Sequence, residues 1–337
     1  MTTGVVKGLE RWGRRAASLL GPLVSAGDGI IPPEPRRILV IRTDSRLGNL
    51  VLMEPLLRSL RVRFPEADIE VLASDRFSSI LELQGYRVIG VDKRGQILDP
   101  SRFIRLIGHL RGRDYDVAID AAHPHSFSLS GAVSAVLAGA SCTISTDAGD
   151  SPAWYTETVS EPSLRWHESR ALHHLGSLWD RWPEWSPPVL RPPGSFRKRD
   201  AVGMHVGASG EKAYPEDRME ELVSLLSGRT MLEMYWGTDD ERRKASRLSQ
   251  RFPVAIMPRL TMEGLLERLA GLRVFISADG GPMHVASALS VPVKALFREA
   301  NMDRFAPLSE GSEVFFDPEG PDPSIVAEKV LISLGLY

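Results

Sequence analysis

The chain contains very little cysteine and no marked excess of either charge. Cys142 is the only cysteine among 337 residues, so an internal disulfide and a cysteine-based zinc site are excluded, and a reducing compartment is predicted. The 41 Lys and Arg residues against 43 Asp and Glu give a formal net charge of -2. This balance argues against nucleic acid as a partner, because DNA and RNA require a basic face.

Long apolar runs are also missing. No stretch reaches the ~18 to 20 apolar residues that a membrane-spanning helix needs. The run from Ala16 to Val24 is interrupted by Gly21 and Pro22, which argues against a secretory signal. With 43% hydrophobic and 25% charged residues, the composition is typical of a soluble protein, and the length allows two domains. We therefore expect a cytoplasmic location.

Residues 1–22 have the pattern of an amphipathic helix. One face carries an apolar stripe and the opposite face is cationic. The stripe is Val5, Leu9, Trp12, Ala16, Leu19 and Leu20, and the cations are Lys7, Arg11, Arg14 and Arg15. Such a helix can lie on an anionic membrane surface, which would make the protein peripheral on the inner face of the cytoplasmic membrane. The alternative is a helix packed on the protein's own surface, and three glycines favour it.

After a proline-rich linker, buried strands alternate with helices, beginning with "RILVIRT" at 37–43 and a helical stretch "NLVLMEPLLRSLRVRF". The alternation of strands and helices is interrupted over 148–200, where we expect one helix in "HESRALHHLGSLWDRW". It resumes at "AVGMHV". This alternation predicts doubly wound parallel sheets. We divide the chain into an extension at 1–35, an N-terminal domain at 36–190 and a C-terminal domain at 191–337. Ligands of such folds bind beyond the carboxyl ends of the strands, so we expect the site in the crevice between the domains.

One strand-to-helix junction, "SADGGPMHVASAL", combines an acid, two glycines, a proline and a histidine. The turn Asp279-Gly280-Gly281 lets backbone N–H groups approach a ligand, and the helix that follows offers free donors and a positive dipole end. His284 in its first turn can add a donor. These features favour a phosphate ligand. A simple turn with a capping aspartate is the alternative.

Two further strand ends carry candidate ligand contacts. "HVGASGEKAYP" supplies Gly207, Ser209 and Lys212, and the lysine is a natural partner for phosphate. "YWGTDDE" places Glu241 where it could hold a ribose diol, although a solvated carboxylate in a first helical turn is equally compatible with the spacing.

His123 and His125 follow the strand "DVAID" and are candidates for contacts with an acceptor, or for a structural role. No third metal ligand is evident beside them, and Asp114-Tyr115-Asp116 precedes a strand, so we predict no metal site.

These motifs resemble those of the family-nine glycosyltransferases, the bacterial lipopolysaccharide heptosyltransferases. "ISADGGPMHVASALSVPVKALF" is similar to the family signature D-[ST]-G-P-M-H-L-A-A-A-L-G-x-P. "GASGEKAYPEDRMEELVSLL" resembles its G-x-x-x-x-K-x-W-P-x-E block, and "HESRALHHLGSLW" its H-E-x-x-R-x-L-x-L-L helix. The resemblance covers about residues 36 to 335.

The resemblance implies a GT-B fold, with two Rossmann-like doubly wound domains facing across a cleft. It implies transfer of heptose from ADP-heptose to a lipopolysaccharide core or related cell-surface glycan, with inversion and without a metal or other cofactor. Asp279, Gly280, Gly281 and His284 would then cradle the donor diphosphate beside Gly207 and Ser209. Lys212 would neutralise the departing diphosphate, and Glu241 would hold the ribose. In the acceptor-binding domain, Arg46 is a further candidate for contacts with the acceptor, beside His123 and His125.

The first loop departs from the family pattern. The family places its presumed base, an aspartate, after a glycine, whereas "RTDSRLGN" has Asn49 after Gly48. An amide cannot accept the acceptor proton, so Asp44 is the candidate base in this loop. Its alternatives are capping of the next helix or pairing with Arg42 or Arg46.

Three other functions remain to be weighed. Asn49 favours a GT-B shell that binds nucleotide or glycan with reduced or lost catalysis. A sugar-nucleotide epimerase shares the architecture, but the resemblance in the acceptor domain argues against it. An NAD-dependent enzyme is disfavoured because no G-x-G-x-x-G follows the first strand.

Overall fold

A computed structural model describes residues 30–92, 99–149, 154–208 and 210–337. The amphipathic stripe of residues 1–22 lies outside the described residues. The chain divides into two compact units. One comprises the residues up to Ser45 together with Pro55–Ser186, and the other comprises Arg46–Glu54 together with Pro187–Tyr337. The division therefore differs from the contiguous one expected at 36–190, since the short segment Arg46–Glu54 belongs with the C-terminal part of the chain.

The first unit is built on a parallel six-stranded sheet in the order β3-β2-β1-β4-β5-β6. Its strands are β1 (Arg37–Arg42), β2 (Asp68–Ser74), β3 (Arg87–Val91), β4 (Val117–Asp120), β5 (Cys142–Thr146) and β6 (Glu157–Val159). β1 pairs with β2 on one side and β4 on the other, so it is a central strand. Because helices cover both faces of a parallel sheet, such strands are continuous apolar runs, and Ile38–Ile41 are completely buried.

The second unit repeats this plan with a parallel sheet in the order β12-β11-β10-β7-β8-β9. Its strands are β7 (Ala201–His205), β8 (Met231–Tyr235), β9 (Ala255–Ile256), β10 (Val274–Ala278), β11 (Val293–Phe297) and β12 (Glu313–Phe316). Its core joins strand residues such as Met204 and Ile276 to the apolar faces of three helices. The carboxyl ends of β7, β8 and β10 are neighbours, because β7 pairs with both of the others.

Helices connect these strands. The described helices are α1 (Leu47–Leu52), α2 (Glu54–Arg63), α3 (Ser79–Glu82), α4 (Pro100–Arg111), α5 (Leu129–Ala138), α6 (Glu168–His173), α7 (Glu216–Ser227), α8 (Asp239–Ser249), α9 (Met262–Ala270), α10 (Gly281–Ala288), α11 (Met302–Phe305) and α12 (Pro323–Leu334). Single turns of 3₁₀ helix cover His174–Gly176 and Gly210–Lys212. Among the described residues, no helix is both long and apolar enough to cross a membrane.

Two helices differ from the sequence expectation. The stretch from Asn49 to Phe64, expected as one helix, is interrupted at Met53 between α1 and α2. Pro55 accounts for the break, because proline has no N–H to donate and its ring clashes with the carbonyl four residues earlier. The helix expected from His167 onward ends at His173 and continues only as one 3₁₀ turn.

The sheet of the second unit tolerates no added volume at Gly203 in β7. A Cβ atom there would lie 2.4 Å from Leu272 Cδ1 and 2.8 Å from Phe275 Cδ2, both in the packed core. We expect Gly203→Ala to lower the free energy of unfolding by about 1–3 kcal/mol through overpacking. Gly228→Ala is the matched control, since a Cβ atom at Gly228 would meet nothing within 4 Å. Equal urea-unfolding midpoints for the two variants would contradict this packing.

Candidate functional site

An ionic cluster lies where three strands of the second unit end. Asp279 directly follows β10, and its side chain is only 7% exposed. Its carboxylate accepts a hydrogen bond from the Lys212 ammonium and another, at 3.2 Å, from the Asn301 amide. The Lys212 Nζ also lies 3.5 Å from Glu299 Oε2. The structure thus brings together two predicted donor-binding residues, Lys212 and Asp279, and adds two residues from the loop after β11.

Helix α10 begins immediately after Asp279. Gly280 is its N-cap residue and makes no side-chain capping bond, while Pro282 occupies the first turn, where a missing N–H costs nothing. Gly281 is in close contact with α1, because an added Cβ would lie 2.9 Å from Leu47 Cβ. The absence of a side chain at Gly281 is therefore required for packing. The positive end of the α10 dipole still lies beside Asp279, a suitable arrangement for an anionic ligand.

His284 is more enclosed than its sequence position suggests. The residue is 7% exposed, and its ring packs edge-on against Phe305 with the centroids 6.3 Å apart. A Cβ on Gly48 would lie 2.8 Å from His284 Cδ2, so α1 also packs closely against the imidazole. The Lys212 ammonium lies 5.6 Å from the centroid of the same Phe305 ring. Phe305 therefore links the predicted lysine and histidine, and the role of His284 toward a donor stays a prediction.

Glu241 and Gly207 meet beyond the ends of β7 and β8. Glu241 closes a capping box at the start of α8: its Oε2 accepts hydrogen bonds from the N–H groups of Gly237 (2.6 Å) and Thr238 (3.0 Å). A Cβ on Gly207 would lie 1.8 Å from Glu241 Oε1, so this glycine makes room for the carboxylate. One oxygen thus caps the helix and the other faces Gly207. Ribose binding by Glu241 stays a prediction, and Ser209 lies outside the described residues.

His205, at the end of β7, supports the same carboxylate. Its Nε2 lies 3.8 Å from Glu241 Oε2, and its Nδ1 lies 2.8 Å from the Gly207 carbonyl oxygen. Burial lowers the pKa of His205 from its ordinary value, with Glu241 acting in the opposite direction. His205 was not predicted as a site residue, because the apolar pattern "AVGMHV" places it within a buried strand.

In the first unit, Asp44 is an ion-pair partner. The Arg42 side chain is 1% exposed, and its Nε donates to Asp44 Oδ2 at 2.7 Å. The same guanidinium donates to the carbonyl of Ala121, which joins the ends of β1 and β4. Asp44 does not cap α1, because the N-cap residue there is Arg46 and it makes no side-chain capping bond. The pairing with Arg42 is one of the structural alternatives foreseen from the sequence, and a catalytic role for Asp44 stays a prediction.

The loop that carries the candidate base is shared between the two units. Asp44 belongs to the first, whereas Arg46 and Asn49 belong to the second. Arg46 is exposed, and Asn49 lies within α1, where its N–H donates to the Arg46 carbonyl at 3.2 Å. Asp44, the candidate base, and Asn49, which stands where the family has its base, therefore belong to different units.

Asp120 ends β4 and is 4% exposed. Its carboxylate accepts hydrogen bonds from the Tyr155 hydroxyl at 2.5 Å and from the Ala122 N–H at 2.9 Å. A Cβ on Gly131 would lie 2.0 Å from Asp120 Oδ2, so α5 approaches the carboxylate closely. Burial raises the pKa of Asp120 to about 6, against the opposing effects of these hydrogen bonds and of the Arg42 charge.

The two predicted acceptor histidines have different surroundings. His123 is exposed, whereas the His125 side chain is 6% exposed with Nδ1 3.5 Å from Glu161 Oε1. Neither ring nitrogen of His125 has a hydrogen-bond partner within the part of the chain that the structure describes. Unpaired buried polar atoms carry a desolvation cost, so a ligand hydroxyl or phosphate in this position would be favoured. The described ranges contain no group of three His, Cys, Asp or Glu residues arranged to hold a metal.

Glu299, Asn301 and Phe305 were not singled out from the sequence. The signal was present, because "REANMDRF" follows the buried strand β11, and β11 pairs with β10 in the same parallel sheet. Loops after neighbouring parallel strands meet at one edge. Applying this rule to every strand of the second half would have identified the three residues.

Two doubly wound α/β units, with a lysine and a helix N-terminus at one sheet edge, define a class of nucleotide-binding folds. The model of the family described as glycosyltransferase family 9 (heptosyltransferase) matches residues 155–333. The chain belongs to this family, as the resemblance in its motifs predicted.

Curated relatives match a shorter segment. Lipopolysaccharide heptosyltransferase 1 of Escherichia coli K12 is 33% identical over 94 residues, which is 27% of this chain and 30% of that protein. The enzyme of the same name from Pseudomonas aeruginosa is 36% identical over 92 residues, 27% of this chain and 26% of that protein. The matched segment thus spans less than a third of the length of these relatives.

Solved structures share the fold over most of the chain. The E. coli heptosyltransferase WaaC with ADP has a TM-score of 0.74 at 19% identity, covering 88% of this chain and 99% of that one. A family 9 glycosyl transferase from Veillonella parvula has a TM-score of 0.75 at 15% identity, covering 92% and 100%. The predicted α/β fold class, GT-B, is confirmed.

The raised pKa of Asp120 makes a prediction for the pH dependence of stability. Its pKa of about 6 in the folded chain exceeds the ~3.9 of an unfolded aspartate. The folded state therefore binds this proton more tightly, and the contribution of Asp120 to the free energy of unfolding falls as the pH rises from ~4 to ~6, by about 2–3 kcal/mol. Above pH ~6 the contribution is constant.

Asp120→Asn keeps the shape of the side chain and removes its ionisation. Between pH ~4 and ~6 the unsubstituted chain loses this stability and the variant does not. The difference in free energy of unfolding between the two proteins therefore shifts in favour of the variant, by up to the same ~2–3 kcal/mol. Urea unfolding followed by tryptophan fluorescence reports on the first unit, which contains Trp154, Trp166, Trp179, Trp182 and Trp185. Parallel pH profiles for the two proteins would contradict the assignment.

Proposed function

We propose that this chain is an inverting, metal-independent glycosyltransferase that moves heptose from ADP-heptose onto a lipopolysaccharide core or a related cell-surface glycan. The observation that carries the proposal is the Lys212–Asp279 pair beside the uncapped start of α10. Support for the donor comes from family membership and from the solved relative described as E. coli heptosyltransferase WaaC with ADP-2-deoxy-2-fluoro heptose.

The chemistry of the leaving group explains why a lysine and a helix N-terminus suit this reaction. Breaking the bond between the sugar and the diphosphate leaves negative charge on the diphosphate and positive charge on the sugar ring. In this proposal, the Lys212 ammonium and the α10 N–H groups stabilise the developing negative charge, and Asp279 keeps the ammonium in place. Because this charge stabilisation comes from the protein, no metal is required. The nucleotide sugar is a substrate, and no further cofactor is proposed.

We assign the acceptor to residues of the first unit and to Arg46, which belongs to the second unit. In an inverting transfer, an acceptor hydroxyl attacks the anomeric carbon opposite the departing diphosphate and gives its proton to a base. Asn49 cannot accept that proton, so we assign the role of base to Asp44. His123 and His125 contact the acceptor in this proposal. Contact of residues 1–22 with an anionic membrane surface, where a lipid-linked acceptor would be found, is part of the same proposal.

Donor binding is tested by removing the charge of Lys212. We expect Lys212→Ala to weaken ADP binding by about 10- to 100-fold, since one charge-assisted hydrogen bond contributes about 1.5–3 kcal/mol. Asp279→Ala should weaken it less, because the ammonium remains but is no longer held. Lys329→Ala on α12 is the control, and calorimetric titration is the measurement. Unchanged ADP affinity in both site variants would refute the donor site.

The identity of the base is tested by turnover. General-base assistance contributes about 10² to 10⁴ in rate, so Asp44→Asn should lower kcat at least ~100-fold while ADP affinity is kept. Asn49→Ala should lower it less. The assay is acceptor-dependent release of nucleotide from ADP-heptose. Near-normal turnover of Asp44→Asn would exclude Asp44 and direct attention to Asp120, His123 and His125.

Release of nucleotide only when acceptor is present also separates a transferase from the two alternatives. A binding protein with lost catalysis would bind ADP and release nothing. An epimerase would act on the nucleotide sugar without any acceptor.

A further inference from the structure

The Lys212 ammonium is shared by two carboxylates of unequal exposure. Asp279 is 7% exposed and accepts a hydrogen bond from it, whereas Glu299 is 45% exposed and lies 3.5 Å away. One positive charge thus faces two negative charges. A diphosphate that approaches Lys212 therefore has to displace or neutralise at least one carboxylate before it gains the full attraction of the ammonium.

Asn301 lies between the two carboxylates and donates to both of them. Its Nδ2 donates to Asp279 Oδ2 at 3.2 Å and to Glu299 Oε2 at 3.3 Å, so the two amide protons bridge the two acids. The Oδ1 atom of the same amide is buried without a hydrogen-bond partner among the described residues. The amide therefore directs its donor end toward the carboxylates although its acceptor end stays unpaired. This orientation is the one expected around two ionised acids.

Of the two acids, Glu299 is the one that can move. It lies in the loop after β11, about half exposed, and an ion pair of this exposure typically contributes only ~0.2–1 kcal/mol. Asp279 is enclosed between the end of β10 and the start of α10 and has two donors. A bound diphosphate would therefore take the place of Glu299 at Lys212 while Asp279 stays.

We propose that Glu299 is a specificity-determining residue of the donor site, whose carboxylate competes with the diphosphate for Lys212 and selects against the more highly charged free nucleoside diphosphate. This inference rests on the proposed function, in which Lys212 binds the donor diphosphate. The two ligands differ in charge. A nucleoside diphosphate carries about three negative charges at pH 7.5, because its terminal phosphate loses a second proton near pH ~6, whereas its sugar ester carries about two.

The extra charge of the product lies on the phosphate that was bonded to the sugar, which is the phosphate that Lys212 would stabilise during departure. The Glu299 carboxylate repels this product more than it repels the substrate. Return of Glu299 to Lys212 would then favour product release, a step that limits the rate of many transferases and other enzymes. Glu299 thus lowers the affinity of the site for the free nucleoside diphosphate relative to its affinity for the donor.

The test is Glu299→Gln in the full chain, with ADP and ADP-heptose as calorimetric probes at pH 7.5 and low salt. Glutamine keeps the length of the side chain and an oxygen for Asn301, and removes the charge. We expect ADP to bind about 3- to 10-fold more tightly to the variant and ADP-heptose to gain less, about 2- to 5-fold, because it carries two negative charges where ADP carries three. Salt at ~1 M should remove most of the gain for ADP, because an exposed charge is screened.

Glu328→Gln on α12 is the matched control, since it changes the net charge equally and should alter neither affinity. Equal changes for ADP and ADP-heptose, or no change, would overturn the role of Glu299 while leaving the proposed function intact. Weaker binding of ADP-heptose with unchanged ADP would also overturn it, because Glu299 would then be a contact of the sugar. Absence of ADP binding to the unsubstituted chain would instead refute the proposed function. Circular dichroism and thermal unfolding establish that the variants are folded.

Discussion

The sheet of each unit is entirely parallel, and most other features of the two units follow from this constraint. Parallel strands all end at the same edge, so the loops that follow them are neighbours even when they are far apart in sequence. In the second unit, Lys212, Asp279 and Glu299 come from three such loops and share one ion-pair network. In the first unit, the loops after β1, β4 and β5 are joined through Arg42, Asp120 and Tyr155.

Both units also bury a carboxylate in their second strand, and each of these carboxylates is fully paired. Glu70 in β2 accepts hydrogen bonds from Tyr115 (2.7 Å) and Arg113 (2.8 Å). Glu233 in β8 is held in the same way by Tyr235 (2.7 Å) and Arg199 (3.1 Å). These buried acids have direct cationic partners and serve the architecture.

The acids at the carboxyl edges are less completely compensated. Asp120 has hydrogen-bond donors but no direct cationic partner at ion-pair distance among the described residues, and its pKa rises to about 6. Asp279 shares its lysine with Glu299. Incomplete compensation at a sheet edge is a physical reason to look there for ligand chemistry, because an arriving charged group can complete the balance.

The sequence determined the fold class, because strands buried on both faces are continuous apolar runs and the intervening helices are amphipathic. It also located the turn Asp279-Gly280-Gly281 and the nearby lysine, because short-range signals of glycine, proline and charge mark a phosphate-binding strand end. Tertiary structure decided which side chains meet. The association of Arg46–Glu54 with the second unit and the Asn301 bridge between two acids depend on contacts between distant residues. Such contacts are set by the order of strands in the sheet, which local sequence patterns do not encode.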